Sequence, residues 1–141
     1  MALKVTKSET WSTTIDDRTG GAADKIEPLA KAGANFEFVF ARRTPEQPGK
    51  GLALAAPVKG AKVVQAAKAQ GWEKAANIHS LRIEGANKPG IGAKILRALS
   101  GAGISFRGLS ASTLGTKFVC YVALDSAEDA AKAASLLRKL G

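Results

Sequence analysis

Two periods alternate along this chain. Leu81 and Ile83 fall on one face of a short extended run, Ser80-Leu81-Arg82-Ile83. Beyond Pro89 the spacing changes: Ile95, Leu99 and Ala102 recur at helical intervals, with Leu96 beside them. Gly101-Ala102-Gly103 then supplies a left-handed stop, and Ile104 to Ser110 resumes a period of two. A polar hairpin, Ser112-Thr113-Leu114-Gly115-Thr116, leads into the alternating apolar run from Phe118 to Leu124. Ser126 with Asp129 three residues on reads as a capping box for a last helix that ends at Gly141.

The same order precedes it. Leu3 to Lys7 and Trp11 to Ile15 read as strands, and Ala22, Ile26 and Leu29 mark a helix closed by Gly33. Pro28 inside that helix deletes a backbone bond and predicts a kink or an early end. Asn35 to Phe40 is the clearest strand pattern, with Phe36, Phe38 and Phe40 on one face. Arg42 to Lys50, with Pro45, Pro48 and Gly49, predicts a long hairpin loop before Leu52 and Leu54. A helix follows from about Lys59 to Gln70, with Val63, Val64 and Ala67 on its buried side. Trp72 to Ile78 is read as a linking strand.

Sliding the chain by 70 positions aligns it with itself without a gap. The informative identities are Gly20/Gly90, Leu29/Leu99, Gly33/Gly103, Phe36/Phe106 and Leu54/Leu124, at expected helix ends and core positions. We read two copies, residues 1–71 and 72–141, each β-α-β-β-α with a further strand before or after it. The predicted class is α+β: two ferredoxin-like βαββαβ modules, each an antiparallel sheet covered on one face by two helices. One arrangement laces them, with residues 72–78 closing the first sheet and 3–7 closing the second. The other makes two local hairpins, but the joint His79-Ser80 lacks the glycine of a tight turn, which favours lacing.

The stretch Asn87-Lys88-Pro89-Gly90-Ile91-Gly92 joins a strand to a helix. Pro89 suits a first helical turn, and the two glycines leave the backbone there bare. The unpaired N–H groups and positive pole of such a helix start suit a carboxylate. With Gly103-Ile104-Ser105 leading the next strand, the chain resembles the ACT domain family, small ligand-sensing modules attached to many enzymes of amino-acid metabolism. Asn87 stands where the family more often has Asp. The resemblance implies a non-catalytic sensor, binding a free amino acid between paired modules at the turn of one and the strand of its neighbour. Carried over by position, it implicates Asn87, Gly90, Ile91, Gly92, Ser105 and Arg107. In the first copy the equivalents are Asp17, Gly20, Gly21, Ala22, Asn35 and Glu37, although Thr19 replaces the family's proline. It further implies a homodimer and an amino-acid-metabolising enzyme as partner.

The net charge of +9 is spread along the chain, with Arg42-Arg43 the nearest thing to a cluster. Nucleic-acid binders concentrate charge on one face among aromatic rings. A nucleic-acid-binding sheet is thus the alternative reading, resting on Arg42-Arg43 and on Tyr121 with Phe118 and Phe106 as stacking rings, the two phenylalanines being read first as core. Asp16-Asp17 precedes a helix and suits either N-capping or ligand contact. His79 is the only histidine and Cys120 the only cysteine, so no metal cluster, nucleophile–base pair or disulfide framework is predicted, and no cofactor. No apolar run approaches ~20 residues and the N-terminus lacks a signal-like apolar block, which predicts no membrane span and a cytoplasmic protein.

Overall fold

Strand-forming and helix-forming stretches assemble in the computed structural model, which describes residues 2–140, into two units. The elements are β1 (Lys4–Ser8), β2 (Trp11–Asp16), α1 (Gly21–Lys31), β3 (Phe38–Arg43), β4 (Lys50–Ala56), α2 (Ala61–Ala69) and β5 (Glu73–Lys74). They continue with β6 (His79–Ala86), α3 (Ile91–Gly101), β7 (Phe106–Leu114), β8 (Lys117–Leu124) and α4 (Ala127–Arg138). Two antiparallel four-stranded sheets result, in the orders β3-β4-β2-β5 and β1-β6-β8-β7. Each is a ferredoxin-like sheet, and the class is α+β.

The first unit spans Glu9–Ala75. Leu29 of α1 and Val63 and Ala67 of α2 pack on Trp11, Ile15, Ala53 and Ala55 of the sheet. Trp72 is buried and donates its indole N–H to the carbonyl of Lys25 at 3.0 Å, so the ring fills the core without an orphaned polar atom. The expected strand from Trp72 to Ile78 shortens to the two residues of β5, paired with Trp11 and Ser12. Pro28 does not shorten α1, which has the same 11 residues as α3. The bond it lacks is one of many, and Leu29 beside it is wholly buried.

The second unit joins β1 to β6, β7, β8, α3 and α4. Lys4 to Ser8 pair with Glu84 to Ser80, and β6 pairs on its other side with β8. Leu3 and Val5 thereby enter a core of Leu81, Ile83, Ile95, Leu99, Val122, Leu124 and Leu137. Arg138 of α4 adds a hydrogen bond of 2.9 Å to the carbonyl of Val5. Ser126 caps α4 by accepting from the Asp129 N–H at 3.0 Å, and the helix ends at Arg138, short of the expected stop at Gly141, which lies outside the described residues. Cys120 is a core residue of β8, and burial pushes its thiol up to about 11.

Several aromatic and apolar placements differ from expectation. The chain bends at Glu37, so β3 starts only at Phe38 and the three rings divide. Phe36 packs on the core, whereas Phe38 and Phe40 pair with Ala56 and Leu54 on the face opposite to Ala53 and Ala55. In the second copy Arg107 is the extra residue of a bulge, and Phe106 at the start of this edge strand is 39% exposed. Leu96 is also exposed, because Ile91, Ile95 and Leu99 form the seam of α3. The hairpin after β7 tightens to Gly115-Thr116, with Leu114 still in the strand.

Placing Leu3 in the second core makes a test. Leu3→Ala is expected to cost that unit about 2–5 kcal/mol. Hydrogen exchange should quicken at Leu81 and Val122 while Ala53 and Ala55 keep their protection.

Candidate functional site

The strand–helix joint of the second copy is a tight turn. The Ile91 N–H donates to the Lys88 carbonyl at 3.1 Å, with Pro89 and Gly90 in the centre. Gly90 has φ 85° and ψ 0°, the left-handed third position of a type II turn, for which glycine is the natural residue. Pro89 therefore occupies the second turn position and not the first turn of α3, whose N-cap is Gly90. A further bond runs from the Lys94 N–H to the Gly90 carbonyl at 3.0 Å, and Asn87 is held by its own N–H on the Thr116 carbonyl at 2.8 Å. The N–H groups of Gly92 and Ala93, between these anchors, stand at the open pole of the helix. A Cβ built on Gly90 or Gly92 meets nothing within 4 Å. The first turn of α3 holds Lys94 and no acidic residue, so the pole is positive throughout.

The first copy makes the same turn from different side chains. The Gly21 N–H donates to the Arg18 carbonyl at 3.0 Å, and Gly20 has φ 84°. Here the charges are already spoken for. Arg18 pairs with Asp24 in the first turn of α1, and its guanidinium also bonds the Thr19 carbonyl. Both carboxylate oxygens of Asp17 lie 3.0 Å from Nε of Arg43, and Asp16 pairs with Lys50 at 2.9 Å. That Lys50 bond holds the Asp16 carboxyl below its usual range. Neither aspartate caps the helix, because α1 starts at Gly21, after a left-handed glycine. Gly21 is buried, and a Cβ on it would lie 2.1 Å from the Asp16 carbonyl oxygen.

No family signature matches the chain, and no curated protein sequence does. Solved structures do. Protein BT0572 from Bacteroides thetaiotaomicron superposes with a TM-score of 0.75 at 18% identity, over 96% of this chain and 99% of that one. The regulatory subunit of aspartate kinase from Thermus thermophilus gives 0.66 at 16% identity, covering 97% and 95%. A structure of aspartokinase alpha and beta subunits gives 0.65 at 14% identity, covering 99% and 96%. The chain has the tandem ACT fold.

Within one ACT unit the position-matched residues do not meet. Asn87, Gly90, Ile91 and Gly92 adjoin the Lys117 end of β8, whereas Ser105 and Arg107 lie at its Leu124 end. The seven steps of β8 between those ends span about 23 Å. Arg107 is moreover paired with Asp125 at 3.2 Å. Ile91 is buried and serves the core with its side chain. In the first unit the division is the same: Asp17, Gly20, Gly21 and Ala22 at one end, and Asn35 and Glu37 just before β3 at the other.

The alternative stacking surface does not form. Phe118 is 6% exposed on the helix-covered side, and Phe106 stands at the strand's far end. Tyr121 points to the face opposite to Phe118, with the Arg82 guanidinium 5.4 Å above its ring. The hydrogen bond of Arg82 to Glu84 raises the arginine's pKa and lowers the carboxyl's.

The two ACT turns should respond in opposite ways to one added methyl group. Gly92→Ala enters open space and should stabilise by about 0.4–1 kcal/mol. Gly21→Ala must displace the Asp16 carbonyl and should destabilise by more than about 1 kcal/mol. Denaturant titration of both variants checks the contrast.

Proposed function

We propose that this protein is a non-catalytic regulatory sensor that binds a free amino acid at the second-copy turn. The observation that carries this reading is the bare, positive helix start at Gly90–Gly92. The N–H groups around Gly92 would hold the α-carboxylate, and the exposed Asn87 amide would accept from the amino group. The likeness of fold to the regulatory subunit of aspartate kinase supports a regulatory role and an amino-acid-metabolising enzyme as partner. The first-copy turn is the weaker candidate, since Asp17 is engaged by Arg43 and Ala22 carries a methyl group where Gly92 has none. We place the protein in the cytoplasm; among the described residues no helix is long and apolar enough to cross a membrane.

A thermal-shift screen against the standard amino acids tests the reading, because a ligand that binds only the folded state raises Tm. One amino acid is expected to do so at millimolar concentration. Gly92→Val should abolish that shift with the unliganded Tm nearly unchanged. Gly90→Val is the poorer probe, because its left-handed φ makes any side chain costly. Silence from every amino acid, or an undiminished shift in Gly92→Val, would overturn the proposal.

We further propose a homodimer. The edge strands β3 and β7 are largely exposed, with Val39 48%, Phe40 37% and Leu114 81% accessible. Light scattering should give twice the chain mass at micromolar concentration.

A further inference from the structure

Positive charge that is spread along the sequence is gathered by the fold. The second unit, residues 1–8 and 76–141, holds eleven lysines and arginines against four carboxylates, a net +7. The first unit's ten against eight leave only +2 of the chain's +9. Three of the second unit's carboxylates, Asp125, Glu128 and Asp129, follow β8 and open α4, at the Leu124 end of the sheet. Lysines collect at the other end. Lys4 on β1 pairs with Glu84, two places along β6 from Ala86, which pairs with Lys117 of β8. The Asn87 N–H on the Thr116 carbonyl sets the turn that holds Lys88 beside Lys117, and Lys94 stands in the first turn of α3. A bond of 3.4 Å from the Leu3 N–H to the Leu140 carbonyl brings Lys139 to the same end.

None of these five lysines makes an ion pair among the described residues, whereas Arg18, Arg43, Lys50 and Lys74 of the first unit all do. Glu84 stands between Lys4 and Lys117 in the strand order but is matched by Arg82, whose Nε lies 3.2 Å away. Like charges gathered at one end draw an anionic partner, with an attraction that salt weakens.

The patch also has an apolar part. Ala86 and Leu114 are the pairing partners of Lys117 on β6 and β7, and Val119 is two residues further along β8, so all four share a face. They line one groove of about 620 Å³, and Leu114 is 81% exposed. Nucleic-acid phosphates would meet the lysines but leave Leu114 in water. Neither nearby ring is free to stack on a base, since Phe118 is buried and Tyr121 lies under Arg82. A protein segment offers both carboxylates and an apolar side chain.

We propose that this end of the second unit docks an acidic segment of a partner protein, with its carboxylates on Lys88, Lys117 and the neighbouring lysines and one apolar side chain in the groove against Leu114 and Val119. The surface does not use the N–H groups at Gly92 and stands apart from the amino-acid reading.

A short glutamate-rich peptide with a central leucine, titrated into the full chain at low salt and followed by amide NMR, is the test. Shifts are expected at Leu114, Lys117 and Val119. Lys88→Gln and Lys117→Gln should each weaken binding about two- to fivefold, the range expected for exposed charge pairs. Leu114→Ser should weaken it several-fold, whereas an all-glutamate peptide, weaker from the start, should not notice that change. Lys31→Gln, in the first unit, should have no effect. Gly92→Val should leave peptide binding unchanged, whatever its effect on amino acids. The proposal fails if the peptide moves none of these resonances, if the lysine variants bind it as tightly as the parent, or if the all-glutamate peptide matches it. It fails equally if duplex DNA or anionic lipid vesicles bind this end more tightly than the peptide, which would make it a phosphate-binding surface. Groove resonances that shift on dilution of the chain alone would also overturn it, by placing a second copy there.

Discussion

A left-handed glycine at the exit of one strand governs the rest of each unit. Gly90, and Gly20 in the other copy, reverses the chain within four residues, and the following residue begins a helix at once. A side chain there would strain the turn, and a longer loop would free the helix to slide over the sheet. With the turn tight, Ile91, Ile95 and Leu99 come down on Leu81 and Ile83 in fixed register. The geometry that seats the helix also leaves its first N–H groups at the sheet's end. Packing and any anion binding thus share one cause.

The two copies spend that shared turn differently. In the first, Arg18, Asp24, Asp17, Arg43, Asp16 and Lys50 form exposed ion pairs around it. Exposed pairs of this kind add little stability, because water and salt screen them. Their effect here is to tie the charged side chains around this turn to one another. In the second, Lys94 takes the first helical turn and Gly92 leaves space above it. The same frame thus carries one closed turn and one open turn.

Long side chains on the uncovered sheet face repeat the lesson at larger range. Arg82 and Glu84 are two residues apart on β6 and meet locally, whereas Lys4 reaches the same groove from the other end of the chain. That groove exists because β1 lies beside β6 in the second sheet.

What the sequence determined by itself is local. Helical spacing of Ile95 and Leu99, the turn glycines, the Ser126 cap and the alternation of Phe118 to Leu124 each depend on residues within a turn or two. The repeat at 70 positions adds that the two halves share one fold. Tertiary structure alone decided the rest. The bend at Glu37 parted Phe36 from Phe38 and Phe40, and the bulge at Arg107 left Phe106 at an open edge. Asp17 found Arg43, 26 residues away, through a hairpin that no local pattern ties to it, and does not cap α1. Ser105 and Asn87 belong to one motif yet stand at opposite ends of a sheet, because a helix of 11 residues runs the length between them. Partners far apart in sequence leave no period to read; burial and strand pairing, which bring them together, are properties of the folded chain.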